Sequence, residues 1–202
     1  MSNFHNMIPE LIIRSELNRI LLNNVNDAFY KNQTNLKSEK DAHEQRVRGR
    51  YQQYSISAPD YPYFDGTQLI NSLFSKVVVP IEYLKRYGGT DQAVDYYLHE
   101  HAQPQYRTCL QYLKNLSEKA PSPSKINPQD TDNVFRFFRH IRNALCHSGT
   151  GELQFYPYDN CEEQITHLVF RDYKFEACLH VEKELMPLVD LFDDIIFVIL
   201  SE

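Results

Sequence analysis

The sequence predicts an all-α fold in the main: an up-and-down bundle of five or six helices with one small β-hairpin before the C-terminal helix. Three observations predict it. Apolar residues recur three and four apart over long stretches at both ends of the chain. Only 6 Gly are present and no internal repeat is visible, which argues against propellers, solenoids and turn-rich barrels. A chain of 202 residues with 42% hydrophobic and 13% aromatic content is long and apolar enough for one buried core, so residues 1–202 are read as a single domain.

Taken in order, residues 9–53 form an N-terminal helical region. Leu11, Leu17, Ile20, Leu21, Val25, Ala28 and Phe29 sit at helical spacing after Pro9, a residue suited to a first turn. The polar stretch 32–53, with Arg46, Arg48 and Arg50, either extends this helix into solvent or forms a second, loosely packed one. Residues 51–66 read as an aromatic loop carrying Pro59 and Pro62. A helix over 67–87 is expected to bend near Pro80 and stop at Gly88 and Gly89. Two shorter helices, 91–101 and 105–119, are separated around Pro104, and the Pro- and Ser-rich run 121–128 is the clearest linker. A helix over 130–147, closed by Ser148 and Gly149, leads to a hairpin of residues 152–158 and 164–171 turning at Asp159 and Asn160. The last segment, 174–200, places Phe175, Cys178, Glu182, Leu185, Val189, Phe192, Ile196 and Ile199 three and four apart, which predicts one long helix kinked at Pro187.

Composition excludes several functions. The most apolar run, 188–200, is interrupted by Asp190, Asp193 and Asp194 and is too short to span a bilayer. The first residues lack the basic and apolar regions of a signal peptide. Cys109, Cys146, Cys161 and Cys178 are widely spaced and read as reduced thiols. The expected location is therefore the cytoplasm, without membrane contact. A net charge of −6 speaks against wholesale coating of nucleic acid, yet leaves room for a local basic site.

Such a site is found between residues 133 and 149. At about 100° per residue, Val134, Phe138, Ile141 and Leu145 fall in one sector. Arg136, Arg139, His140, Asn143 and His147 fall opposite, with Arg142 on the flank. No acidic residue occurs between Asp132 and Glu152, so the segment carries its basic face without a carboxylate of its own. Arginine offers a permanently charged planar fork to phosphate oxygens, and histidine exchanges protons near neutral pH.

The run Arg142-Asn143-Ala-Leu-Cys-His147, on a helix closed by Ser-Gly and followed by a hairpin, resembles the Arg-polar-x-x-x-His signature of the HEPN superfamily. These are helical-bundle proteins, many of them endoribonucleases of toxin and anti-phage systems. The resemblance is strongest over 130–200; over the first 120 residues helical character and length agree. It implies that Arg142 and His147 are the catalytic pair and that Asn143 supports them. It further implies a homodimer that brings two copies of the motif into one cleft, with an antitoxin or a nucleotidyltransferase as a candidate partner. RNA is then the substrate, bound in addition by Arg139, Arg136 and His140, and the reaction needs no metal or other cofactor. The alternatives are a non-catalytic HEPN-type module that binds nucleotide, RNA or a partner protein, and a structural helical adaptor. The C-terminal stripe and the 130–147 helix are the expected dimer interface, and Arg142 and His147 are expected to face solvent.

Other features are weaker. His99, Glu100 and His101 are spaced as a metal pair but lack a third ligand in sequence. The aromatic residues Tyr51, Tyr54, Tyr61, Tyr63 and Phe64 suit either base stacking or the closing of a bundle end. Arg46, Arg48 and Arg50 suit phosphate contacts or a solvated face. No Gly-rich phosphate loop, nucleophile elbow or dinucleotide fingerprint is present.

Overall fold

The computed structural model of the chain describes Ile8, Leu11, Ile12, Ser15, Gln45 and residues 69–119, 124–146, 151–156 and 165–202. Arg46, Arg48, Arg50, the 51–66 segment, Cys161, the turn at Asp159 and Asn160, and His147 lie outside the described residues.

The described chain is mainly helical, with a small antiparallel sheet ahead of the C-terminal helix. Helix α1 (Val79–Leu84) is preceded by a π-helical turn (Phe74–Val78) and followed by a 3-10 turn (Lys85–Tyr87). Pro80 lies inside a continuous helical run that starts by residue 69, directly after the π-helical turn, an irregularity of the kind that accompanies a proline within a helix. The chain then passes Gly88, extended at φ −171°, where a Cβ would stand 2.8 Å from the Ala93 Cβ. Close approach, rather than left-handed backbone, is what requires glycine there. Thr90 caps α2 (Asp91–His101) by accepting from the Ala93 N–H. Helix α3 (Gln103–Lys119) starts one residue after α2 ends, with Pro104 inside its first turn, so the break falls at Ala102 and not at the proline.

Strand β1 (Lys125–Ile126), a 3-10 turn (Pro128–Asp130) and helix α4 (Val134–Cys146) come next. The start of α4 is fixed by Asn133, whose Oδ1 accepts from the Arg136 N–H at 2.6 Å, and by Asp95 of α2, which accepts from the Phe135 N–H at 3.0 Å. Two orphan donors of the first turn are thereby satisfied.

The hairpin forms as β2 (Gly151–Tyr156) and β3 (His167–Asp172), and it is one side of a larger sheet, with β2 at the edge. Strand β4 (Phe175–His180) pairs with β3, and β1 pairs with β4, giving the order β1-β4-β3-β2, antiparallel throughout. The long C-terminal helix expected over 174–200 is therefore corrected: its residues 175–180 are a strand. Phe175, Ala177 and Leu179 alternate with half-buried neighbours, a period of two that the wider spacing of Phe175 and Cys178 concealed. A π-helical turn (Val181–Leu185) then leads into α5 (Met186–Ser201), with Pro187 in the first turn of that helix.

The core lies between the sheet and the helices. Helix α4 packs on β2 and β3 on one side and on α2 and the π-turn before α1 on the other. Phe138 stacks on Phe192 of α5 with centroids 4.0 Å apart, and Phe137 meets Phe175 of β4 edge-on at 5.5 Å. On α5, Leu188, Val189, Phe192, Ile195, Ile196 and Ile199 are buried within the chain. The C-terminal stripe expected at a dimer interface is thus occupied by the protein's own core. Ile8, Ile12 and Ser15 are helical and buried, and the Ser15 hydroxyl donates to Ser72 at 3.0 Å. No helix among the described residues is long and apolar enough to cross a membrane.

Candidate active site

Helix α4 carries Arg142 and Asn143, and none of its 13 residues is exposed. Val134, Phe135, Phe137, Phe138, Ile141 and Ala144 are buried, while Leu145 is half-buried. Burial on both sides follows from the sandwich position between sheet and helices. The polar residues of α4 consequently lie in the seams beside it and do not form a free surface.

The structure divides these residues between two seams. Arg142 and Arg139 reach the helical side: Arg142 Nη2 stands 2.5 Å from Glu82 Oε1 of α1, and Arg139 Nη2 stands 2.9 Å from Asp91 Oδ2 of α2. His140 and Asn143 reach the sheet side and converge on one oxygen of Asp172, at the end of β3. His140 Nδ1 lies 2.7 Å from Asp172 Oδ2, and Asn143 Nδ2 donates to the same atom at 2.8 Å. Arg136, one turn nearer the start of α4, donates to the Gln129 carbonyl at 2.6 Å and to Asp132 at 2.9 Å. It lines a polar cleft of about 460 Å³ with Thr90, Asp91, Gln92, Asp132 and Asn133.

The expected unopposed, water-facing basic face is therefore corrected. Asp91, Glu82, Asp132 and Asp172 each meet one of its basic groups, and three of those carboxylates come from other elements. A chain of net charge −6 has carboxylates to spare, and burying guanidinium groups without counter-charges would be costly.

Arg142 and Asn143 are joined directly: Arg142 Nη1 donates to Asn143 Oδ1 at 3.0 Å. The amide thus accepts from the arginine through its oxygen and donates to Asp172 through its nitrogen. Asp172, 8% exposed at its side chain, fixes the amide's orientation, and the amide fixes one arm of the guanidinium, itself 15% exposed. His140 is held in addition by stacking on Phe175, centroids 4.7 Å apart and planes 10° from parallel. Its contact to Asp172 and its stacking make it part of the framework that holds Asn143.

Glu82 holds the second arm. Partial burial works to raise its carboxyl, but the Lys85 hydrogen bond and the charges of Arg142 and Lys85 outweigh it and keep the group below its usual value. Glu82 is thus ionised at neutral pH and serves as the counter-charge of Arg142. Glu82 also meets Lys85 at 2.8 Å. Burial raises the thiol of Cys146, the last residue of α4. His147 follows it in sequence and lies outside the described residues.

Sequence reasoning missed Asp172, Glu82 and Asp91. Each is an ordinary carboxylate 29 to 60 positions from its partner in the chain, and single-sequence periodicity carries no signal for such pairings. The His99, Glu100 and His101 set does not converge: His99 Nδ1 lies 3.4 Å from Glu100, whereas His101 Nδ1 lies 2.6 Å from Glu202 and its ring packs on Tyr97. Among the described residues no three His, Cys, Asp or Glu side chains are grouped to hold a metal ion.

Compared with known protein families, the whole chain, residues 1–202, matches the family model described as HEPN pEK499 p136. No curated protein and no solved structure matches it.

Proposed function

The chain belongs to the HEPN pEK499 p136 family, and from that premise we propose that it is a metal-independent endoribonuclease that cleaves RNA through the substrate's own 2′-hydroxyl. The observation that carries the reading is the part-buried chain of contacts Asp172–Asn143–Arg142, which holds a guanidinium five residues before His147 in sequence. Preset donors stabilise developing charge better than mobile ones, because they need no reorganisation during the reaction.

The reaction balances without a further reactant. A base takes the proton of the 2′-hydroxyl, the 2′-oxygen bonds to phosphorus, the bond from phosphorus to the 5′-oxygen breaks, and that oxygen takes a proton. His147 has the right pKa range for one of these transfers. A homodimer supplies a second His147 for the other, which is the reason to expect two copies around one cleft. Arg142 supplies fixed positive charge to the phosphate, and Arg139, Arg136 and His140 flank the path of the strand. The setting that fits is a bacterial toxin–antitoxin or anti-phage system, with an antitoxin or a nucleotidyltransferase as partner.

The carboxylates facing Arg136, Arg139 and Arg142 favour a second reading, a non-catalytic module that binds nucleotide, RNA or a partner protein, because they make the surface less basic than its sequence. Cleavage assays separate the two. Arg142→Ala and His147→Ala should each remove nearly all cleavage of a broad RNA panel, with Asn143→Ala intermediate. Wild-type rates in His147→Ala would overturn the site assignment. Inert wild-type protein that still binds RNA or nucleotide would put the module reading first.

A further inference from the structure

Tyr173 is the only non-glycine among the described residues with a positive φ, 55°. It is the first of two residues linking β3 to β4, where the register pairs Asp172 with Phe175. A positive φ at the first turn position alone is the pattern of a type II′ turn, whose first position normally holds glycine. A bulky L-residue there carries steric strain that glycine would avoid. Packing does not repay that strain, because Tyr173 is 89% exposed. Strain that the fold does not use points to a functional role for the side chain.

Its position says which role. The preceding residue, Asp172, is the carboxylate that holds Asn143 and His140. The following residue, Lys174, places Nζ 5.8 Å from the Tyr173 ring centroid. An exposed aromatic face and an ammonium group thus stand together at the sheet end that holds the Arg142 network. Aromatic faces stack on unpaired bases whatever their identity, and a neighbouring cation serves the connecting phosphate.

We propose that Tyr173 is a base-stacking residue, which receives an unpaired nucleobase of the RNA strand whose scissile phosphate Arg142 binds. The inference rests on the endoribonuclease reading and gives it a binding determinant outside the sequence motif.

The test compares wild type with Tyr173→Gly, Tyr173→Phe and Tyr173→Trp on short single-stranded RNA. Parallel substrates carry an abasic nucleotide at each position in turn, and kcat, KM and Tm are all measured. Tyr173→Gly should raise KM about tenfold or more, the usual effect of losing one base stack, with little change in kcat. Its Tm should equal or exceed that of wild type, because glycine relieves the turn. Tyr173→Phe and Tyr173→Trp should keep the wild-type KM. One abasic position should cost the wild type the same factor and cost Tyr173→Gly nothing further. A wild-type KM in Tyr173→Gly overturns the proposal, as do an equal loss in Tyr173→Phe, a clear fall in Tm, or a change of oligomeric state that assigns the ring to a contact between copies. If wild type cleaves in an Arg142-dependent way while Tyr173→Gly matches it, this inference fails alone. If wild type neither cleaves nor binds RNA, the endoribonuclease reading fails and this inference with it.

Discussion

Arg142 divides its two terminal nitrogens between Asn143 and Glu82, so replacing it affects both chemistry and fold. A solvent-facing Arg142, as the sequence suggests, would tolerate truncation. The partial burial of Arg142 changes that: Arg142→Ala should cost about 1–2 kcal/mol in urea unfolding, from lost hydrogen bonds to a charged group discounted for exposed Glu82. Arg142→Lys keeps the charge without the fork and should retain most stability while losing at least about tenfold in kcat. Asp172 gives a sharper separation of position from charge. In Asp172→Asn one carboxylate oxygen that meets both His140 and Asn143 becomes part of an amide, so the Asn143 orientation is released. We expect kcat to fall about 10- to 100-fold, the scale on which small misplacements act, with KM little changed. Unchanged kcat in Asp172→Asn would show that the network does not position Arg142. Arg142, Asn143 and His147 were legible as a motif because their spacing is local. Asp172 was not, because its role exists only after β3 has packed on α4.

At the scale of elements, the β3–β4 pair sets a histidine where protonation works against folding. His167 lies in β3, buried opposite His180 of β4, ring centroids 4.9 Å apart, with Thr166 Oγ1 2.9 Å from its Nδ1 and Tyr156 edge-on. Burial chiefly, then the His180 and Lys183 charges against the opposing pull of Glu184, lower its pKa from 6.5. The unfolded chain then binds the proton more readily than the folded one, so this contribution is full above about pH 6.5 and is lost as pH falls below it. Urea unfolding should show stability declining from pH 7.5 to pH 5.5, and His167→Gln should flatten that slope; an unchanged slope would remove His167 from the account. The helices α2 and α4 and the pairing of β2 with β3 were readable because their apolar patterns are local. Strand β4 was misread as helix because its bulky residues satisfy both periods, and only pairing with β3 and β1 decides between them. Strand β1, two residues long, left no pattern to read.

Across the whole molecule, two of the three aspartates that interrupt the apolar C-terminal run, Asp190 and Asp193, anchor α5. Lys76, 2% exposed, places Nζ 2.7 Å from Asp190 and 3.0 Å from Asp193, tying the π-turn before α1 to the C-terminal helix. Lys76→Met removes the counter-charge of buried Asp193 and should cost about 3–5 kcal/mol in urea unfolding; a loss below about 1 kcal/mol would show that the pair does not hold the helix. The composition made those aspartates conspicuous but could not supply the lysine 114 residues away. The same packing buries the apolar stripe of α5, so the proposed homodimer must form through other surfaces near Arg142 and His147. The central claim concerns the reaction itself, and the ends of the products test it most directly. A short RNA oligonucleotide is incubated with the protein in excess EDTA and the fragments are weighed by mass spectrometry, with a 2′-deoxy substitution at the scissile nucleotide as control. The account predicts 2′,3′-cyclic phosphate and 5′-hydroxyl ends, undiminished by EDTA and abolished by the 2′-deoxy substitution; 5′-phosphate ends, or cleavage lost in EDTA and restored by magnesium or manganese, would contradict it.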